Sequence, residues 1–230
     1  MLLLLLIFSF EKLFAQDFGR QQQQIDSVAV KYLQTASRYS VLYYGEQQLS
    51  PLRTSNHPYL NDIQFAKASL SYHGVLYPEV LLRFDISRSE LIIMSPNYLP
   101  IVLYPEYVDF AELHGKHIIY FRNDSLSGSP STGYYYLLHS GKCRVLEKNN
   151  AALRVKSQYD LHYIFSKRFF LYHAEGYYTI KNKRTLLKVL QPYKKELKLF
   201  ISSNQLRFRN NADVFIPKTV AEYEKLSESL

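Results

Sequence analysis

The sequence predicts an α+β protein that is mainly β: a twisted antiparallel sheet, curved or half-barrel in form, closed off by a C-terminal helical cap. Three observations carry that expectation. The first is composition, with 21 Tyr and 14 Phe but no Trp among 230 residues; aromatic side chains suit the pleated, half-buried surface of a strand. The second is a change of hydrophobic period to two from about residue 63, with turn residues recurring at short intervals, which marks strands joined by hairpins. The third is a return to helical spacing after about residue 183. A content of 47% hydrophobic and 21% charged residues, with eight Gly and nine Pro, excludes disordered and collagen-like chains.

The N-terminus reads as an export signal. Met1 to Phe10 is an apolar run, followed by Glu11 and Lys12 and then by Leu13-Phe14-Ala15-Gln16, a small-residue ending suited to signal peptidase. Residues 1–16 are therefore expected to be a signal peptide and 17–24, with its Gln21–Gln24 tract, a linker. A membrane-spanning helix needs roughly 20 apolar residues, about twice this run, so a retained anchor is the weaker alternative. The lack of a Cys after the cut argues against a lipoprotein. Ile25 to Tyr39, with Ile25, Val28, Tyr32 and Ala36 at three- and four-residue steps, predicts a short helix opening a single domain over 25–230.

The strands come in order. Phe65–Tyr72 is broken by His73-Gly74 and succeeded by Val75–Ile86, whose Leu76, Val80, Leu82, Phe84 and Ile86 alternate with Tyr77, Glu79, Leu81, Arg83 and Asp85. Pro78 cannot donate to a ladder, which places it at an edge or a bulge. Glu90–Met94 is apolar on both faces and predicts a central strand. Tyr107–Leu113 and Lys116–Arg122 form a hairpin at His114-Gly115, Ser125–Gly133 a mobile loop, and Tyr134–His139 pairs with Lys142–Lys148. Leu153 and Val155, alternating with Arg154 and Lys156, predict a further strand. Beyond residue 160 the pattern drifts toward helix, with helices over Lys183–Leu190 and Tyr193–Phe200 split by Pro192 and a last one over Val220–Leu226. That polar C-terminus argues against a transmembrane barrel.

Charge is uneven. Through residue 140 there are 10 Lys and Arg against 12 Asp and Glu, a net of −2; residues 141–230 hold 18 against 8, a net of +10. Lys181, Lys183, Arg184, Lys188, Lys194, Lys195 and Lys198 are the candidate binding residues, a basic face that attracts anions. Export excludes nucleic acid as the partner, leaving an envelope protein or an anionic surface, with peripheral membrane association.

Catalytic and metal chemistry finds no constellation here. His114 and His117 flank a turn, and two ligands do not make a zinc site. Asp109 and Glu112 are three apart on a strand and face oppositely. The Ser-rich loop lacks the G-x-S-x-G elbow. Cys143, the single cysteine, is expected to be a small buried hydrophobe. The expectation is a non-enzymatic binding module without metal or cofactor; a carrier of an apolar ligand in a groove of the curved sheet is the alternative. Tyr43-Tyr44, Tyr134–Tyr136 and Tyr177-Tyr178 put aromatic bodies with polar tips on both faces of the sheet, as sugar-stacking or interface surfaces do; packing in and at the edges of strands is the favoured reading.

Several stretches carry a resemblance: Leu42-Tyr43-Tyr44-Gly45-Glu46, His57-Pro58-Tyr59-Leu60, Tyr72-His73-Gly74-Val75-Leu76-Tyr77, Leu81–Ile86, Gly133-Tyr134-Tyr135-Tyr136, Gly141-Lys142 and Gly176-Tyr177-Tyr178, with Lys183 and Leu186-Leu187. In this order they resemble a family of uncharacterised exported β-rich proteins of the Bacteroidota. The resemblance implies export and a β-rich fold, and assigns no activity and no site residue.

Overall fold

A computed structural model describes residues 40–49, 52–157, 160–209 and 211–228. The expected signal peptide, linker and helix over Ile25–Tyr39 lie outside them. Ser40–Leu42 makes a helical turn, closed by Tyr44 N donating to Val41 O at 3.3 Å, in a unit that ends at Tyr44. The body runs from Gly45 onward.

Eleven antiparallel strands form one open sheet: β1 (Glu46–Gln47), β2 (Ala66–Tyr72), β3 (Val75–Asp85), β4 (Glu90–Met94), β5 (Pro100–Val102), β6 (Val108–Leu113), β7 (Lys116–Phe121), β8 (Gly133–Ser140), β9 (Arg144–Ser157), β10 (Asp160–His173) and β11 (Gly176–Ile180). Their order is β1-β5-β4-β3-β2-β6-β7-β8-β9-β10-β11. Two meanders thus grow outward from the central β2–β6 pair, and β1 and β11 are left as edges. The curl of the sheet is fixed by its concave face, where Phe84 on β3 meets Tyr134 and Tyr136 on β8 at ring separations of 5.7 and 6.3 Å. Three strands stand between those two in the sheet.

Turn chemistry sets the registers. The β2–β3 and β6–β7 hairpins are two-residue turns at His73-Gly74 and His114-Gly115, both residues of each with positive φ. This primed geometry matches the twist of the strands and favours glycine. The β10–β11 hairpin has the same two-residue form between His173 and Gly176, yet places Ala174 (φ 47°) and Glu175 (φ 63°) in the left-handed region.

The structure corrects four expectations. The segment after residue 160 is not helical until Lys183: β10 and β11 occupy it. Leu153 and Val155 do not begin a separate strand, because β9 runs unbroken for 14 residues. Leu76 does not share a buried face with Val80, Leu82 and Phe84. Between the pairs Ala68–Val80 and Leu70–Tyr77, two residues of β3 (Pro78 and Glu79) oppose one of β2 (Ser69), so a bulge at Pro78 inverts the alternation, burying Tyr77 and exposing Leu76. The last helix begins at Ala212 rather than at Val220.

Three helices cover the concave face at the β8–β11 end: α1 (Lys183–Val189), α2 (Lys194–Ser203) and α3 (Ala212–Glu228). Pro192 sits in the 3-10 turn between the first two, as expected of a residue that cannot continue a helix. Pro217 lies inside α3 and costs it one backbone bond. Phe215 and Ile216 before it and Val220 and Tyr223 after it are all buried in one cluster with Val145, Phe169, Leu171, Ile180, Leu186, Leu187, Leu190, Leu197 and Ile201. Glu224 of α3 clamps the β8–β9 turn, accepting from Cys143 N at 2.6 Å and contacting His139 Nε2 at 2.8 Å. A Cβ at Gly141 would overlap that carboxylate, so glycine is required by close approach.

The convex face carries a second cluster of Phe121, Tyr135, Leu146 and Tyr177. The Ser-rich segment expected to be mobile is pinned over it: Ser131 O accepts from Tyr135 Oη at 2.7 Å and Ser127 O from Tyr177 N at 2.8 Å.

Two stability measurements check these assignments. Glu175→Gly should stabilise the protein by about 1 kcal/mol in urea unfolding, because glycine relieves the left-handed backbone. Alkali should act the other way. Burial pushes Tyr72 up to about 12 and raises Tyr134 and Tyr136 further, while an unfolded tyrosine ionises near ~10. Between those values the native state keeps protons that the unfolded state releases, so stability is full below about pH 9.5 and falls as pH rises. Tyr134→Phe should flatten the decline by up to ~1.4 kcal/mol per pH unit above pH 10, read as urea midpoints from pH 8 to 11.

Candidate functional site

Where the sheet meets its helical cap, the chain forms a cavity of about 930 Å³ lined by Lys167, Arg168, Phe169, Thr179, Ile180, Lys181, Asn182, Lys183, Phe208, Arg209, Ala212 and Asp213. Each wall has a local cause. Phe169 and Ile180 are register partners across β10 and β11, which sets their side chains together as part of an apolar floor. The corner at residues 181–183 is fixed by a reciprocal cap. Thr185 N donates to Asn182 Oδ1 at 2.9 Å, and Lys181 N and Asn182 N both reach Thr185 Oγ1 at 3.1 Å. The opposite wall is Phe208, anchored edge-on against Phe215 at 5.5 Å, with Arg209 and the first residues of α3.

Charge in the wall divides into two sets. Lys167 is committed to structure: its Nζ lies 3.0 Å from Glu147 Oε1 and 3.8 Å from Asp213 Oδ2, and Asp213 also contacts Lys116 at 3.6 Å. Glu147 is 1% exposed, and a carboxylate so far from water requires a cation beside it. Arg168 leaves the opposite face of β10 from Lys167 and Phe169, on the side of Tyr135 and Lys148, and meets the cavity only along its strand. Lys181, Lys183 and Arg209 have no carboxylate partner among the described residues. Their field is not neutralised locally, and it converges on an apolar floor where an anion's interactions are less screened than in open solvent. The arrangement can hold an anion that also carries apolar surface.

The structure brings Lys181 and Lys183 of the predicted basic set into this wall. Arg184 and Lys188 are exposed on α1, and Lys194, Lys195 and Lys198 are exposed on α2; none of these five lines the cavity. Sequence reasoning missed Lys167, Arg168, Phe169, Phe208 and Arg209. A signal was present in Lys167-Arg168-Phe169-Phe170 and Arg207-Phe208-Arg209, where cations adjoin aromatics. The first run lies in a stretch whose apolar spacing imitates a helix, and the second lies in a connection between helices, so neither stands out by pattern alone.

A second cluster of titratable groups lies beneath α3. Cys143 Sγ is 3.5 Å from His173 Nδ1, and His173 Nε2 is 3.4 Å from Tyr223 Oη. The pairing has the outline of a nucleophile and its base, but the electrostatics oppose it. Cys143 is 2% exposed; burial first, then the charge of Glu224, pushes its thiol up to about 11. Burial also lowers His173, disfavouring the imidazolium that would stabilise a thiolate. Cys143 therefore packs as the small hydrophobe the sequence suggested. His114 is a turn residue, while His117 stacks on Phe110 at 5.1 Å. Asp109 accepts from Ser71 Oγ and Gly74 N, bracing the β2–β3 turn. Among the described residues no group of three or more potential ligands could hold a metal ion.

Compared with family models, curated proteins and solved structures, the chain has no match.

Cys143 gives a direct check of this electrostatic picture. Iodoacetamide at pH 8 should alkylate the native protein at least ~100-fold more slowly than the urea-unfolded chain, whose thiol ionises near ~8.5, as tracked by intact-mass spectrometry.

Proposed function

We propose that this protein is an exported, non-enzymatic accessory or binding module of the cell envelope, periplasmic or associated with the outer membrane. Its partner is anionic and engages the cavity between β10, β11 and the start of α3. The observation that carries the reading is the cavity itself, where Lys181, Lys183 and Arg209, without acidic partners among the described residues, stand around an apolar floor of Phe169, Ile180 and Phe208. Export is supported by the apolar leader of residues 1–10 and by the resemblance to exported proteins of the Bacteroidota. An exported protein meets lipid headgroups, acidic glycans and acidic protein surfaces, and the net of +10 after residue 140 favours all three.

The alternative of an apolar carrier loaded in the groove of the sheet is less well supported. Phe84, Tyr134 and Tyr136 meet across the concave face and are buried, so side chains occupy space that such a ligand would need. The cavity floor still favours a ligand with an apolar part, such as an acyl chain bearing an acidic head.

Calorimetric titration of the purified chain with monododecyl phosphate, below its micelle concentration, tests the reading, with inorganic phosphate as the comparison. The amphiphile is expected to bind with a micromolar Kd, about −8 kcal/mol, and phosphate alone much more weakly. Lys181→Glu/Lys183→Glu should weaken binding about tenfold or more, and 0.5 M salt should weaken it as well. Binding that ignores both salt and this variant would overturn the cavity as the site. Loss confined to Lys194→Glu/Lys195→Glu/Lys198→Glu would transfer the function to the exposed face of α2.

A further inference from the structure

The β9–β10 hairpin extends beyond the sheet that supports it. β8 accompanies β9 only over Arg144–Glu147, whereas β10 pairs with β9 out to Ser157. The distal part is a two-stranded ribbon, and the two edges of that ribbon are treated differently. On the β10 side the chain supplies its own cover: Ser55 N donates to Leu161 O at 2.8 Å, Tyr163 N to Asn56 Oδ1 at 2.7 Å and Asn56 Nδ2 to Tyr163 O at 2.9 Å. The Asn56 amide thus takes the place of a neighbouring strand's peptide group.

These bonds also fix the direction of the other edge. Leu161 and Tyr163 point their backbone groups away from β9, so they belong to the non-hydrogen-bonded pairs of the antiparallel ladder. Their register partners are Val155 and Leu153, and the next such pair is Phe165 with Ala151. Ala151, Leu153 and Val155 therefore direct N–H and C=O outward from β9, and no backbone group of the described residues meets them. Exposed strand edges are templates for pairing and are ordinarily blunted by proline, inward charge or a covering loop. Among the described residues this edge has no proline and no covering loop; Lys148 and Arg154 are the charges that guard it, and they guard it against a basic partner and not an acidic one.

We propose that the free edge of β9 over Ala151–Val155 is a docking edge for an extended acidic segment of a partner protein, which adds as a further strand. The ribbon's side chains specify its pattern. On one face Leu153, Val155 and Phe165, exposed by 39%, 71% and 48%, make an apolar surface for alternate residues of the incoming strand. On the other face Arg154 stands opposite His162, with Lys148 and Arg168 paired further along. Residues Lys148–Ser157 include three cations and no acidic residue. Antiparallel pairing of this strand with a second copy would gather the cations of both copies on one face, where they repel, whereas a strand alternating apolar residues with Asp or Glu complements both faces.

The test uses the full chain and a fluorescein-labelled ten-residue peptide alternating Glu with Val and Thr, read by fluorescence anisotropy. The peptide is expected to bind, and its Lys-for-Glu counterpart to bind at least ~10-fold more weakly. Leu153→Pro removes an outward N–H without touching the ladder to β10 and should reduce binding at least ~10-fold, while Leu153→Ala, which keeps the N–H, should stay within about threefold. A peptide N-methylated at alternate residues on its pairing edge should fail to bind the unaltered protein, a readout that does not depend on how the proline variant folds. Equal binding of the N-methylated peptide, or full binding by a folded Leu153→Pro variant, overturns strand addition. So does dimerisation in sedimentation equilibrium that Leu153→Pro abolishes, since the edge would then serve a second copy. Phosphatidylglycerol vesicles captured in place of the peptide, with loss in Arg154→Glu but not Leu153→Pro, would overturn it too and assign the arm to a lipid surface.

Discussion

The pairing of β9 with β10 is the constraint on which the rest of the body depends. Its ladder runs from Arg144–Tyr172 at one end to Ser157–Asp160 at the other, and every later feature hangs from it. β8 and β11 flank it, the three helices seat on Val145, Phe169 and Leu171, and the cavity opens where Phe169 meets Ile180. The ladder also carries a deeply buried carboxylate bonded to a lysine. Glu147 and Phe169 are register partners, so the carboxylate emerges among apolar side chains and is held by Lys167, two residues before Phe169 on the same face of β10. An interior charge survives there because the strand that buries it also delivers its partner.

Sequence patterns reveal most of the strands up to β8, though not the short β1 and β5 or the order that joins the strands in the sheet. His73-Gly74 and His114-Gly115 are turn dipeptides with a mechanism, since glycine admits positive φ, and the strands on each side alternate cleanly. Pro78 announces the bulge, but a bulge also inverts the phase of the residues beyond it, and simple alternation therefore misassigns Leu76 and Tyr77. The failure after residue 160 has a physical root in the β10–β11 turn. Ala174 and Glu175 favour helices, and nothing in their chemistry predicts a left-handed pair. The ladder to β9 and the burial of Phe169, Leu171 and Ile180 impose the hairpin against local preference. Without that hairpin Lys167 and Phe169 cannot be placed beside Lys181 and Lys183, because only the β10–β11 register brings residues so far apart in the chain to one cavity. The basic half is legible as charge, but its division into a cavity wall and exposed helix faces is set by tertiary structure.

That division bears on what the surplus charge is for. Where the fold needs a charge, it supplies a partner: Glu147 and Asp213 share Lys167, Asp213 also holds Lys116, and Glu224 contacts His139. Each of these contacts ties a strand to another strand or to α3. Arg168, Lys181, Lys183 and Arg209 have no such role among the described residues, and neither does Arg154 at the ribbon. Like charges gathered at one end of a domain repel one another and weaken the compact state. Folding alone gives no reason to gather them, whereas recognition of an anion does.

The cavity and the β9 edge differ in the information they can read. The cavity offers charge and apolar contact within a shaped space, which suits the proposed ligand, an acidic head with an attached apolar part, and carries no means of reading a sequence. The β9 edge offers a directional row of backbone donors and acceptors flanked by one apolar and one basic face, which selects an extended chain with alternating residues. Both belong to the same hairpin: Lys167, Arg168 and Phe169 of β10 line the cavity, and the strand they pair with presents the edge.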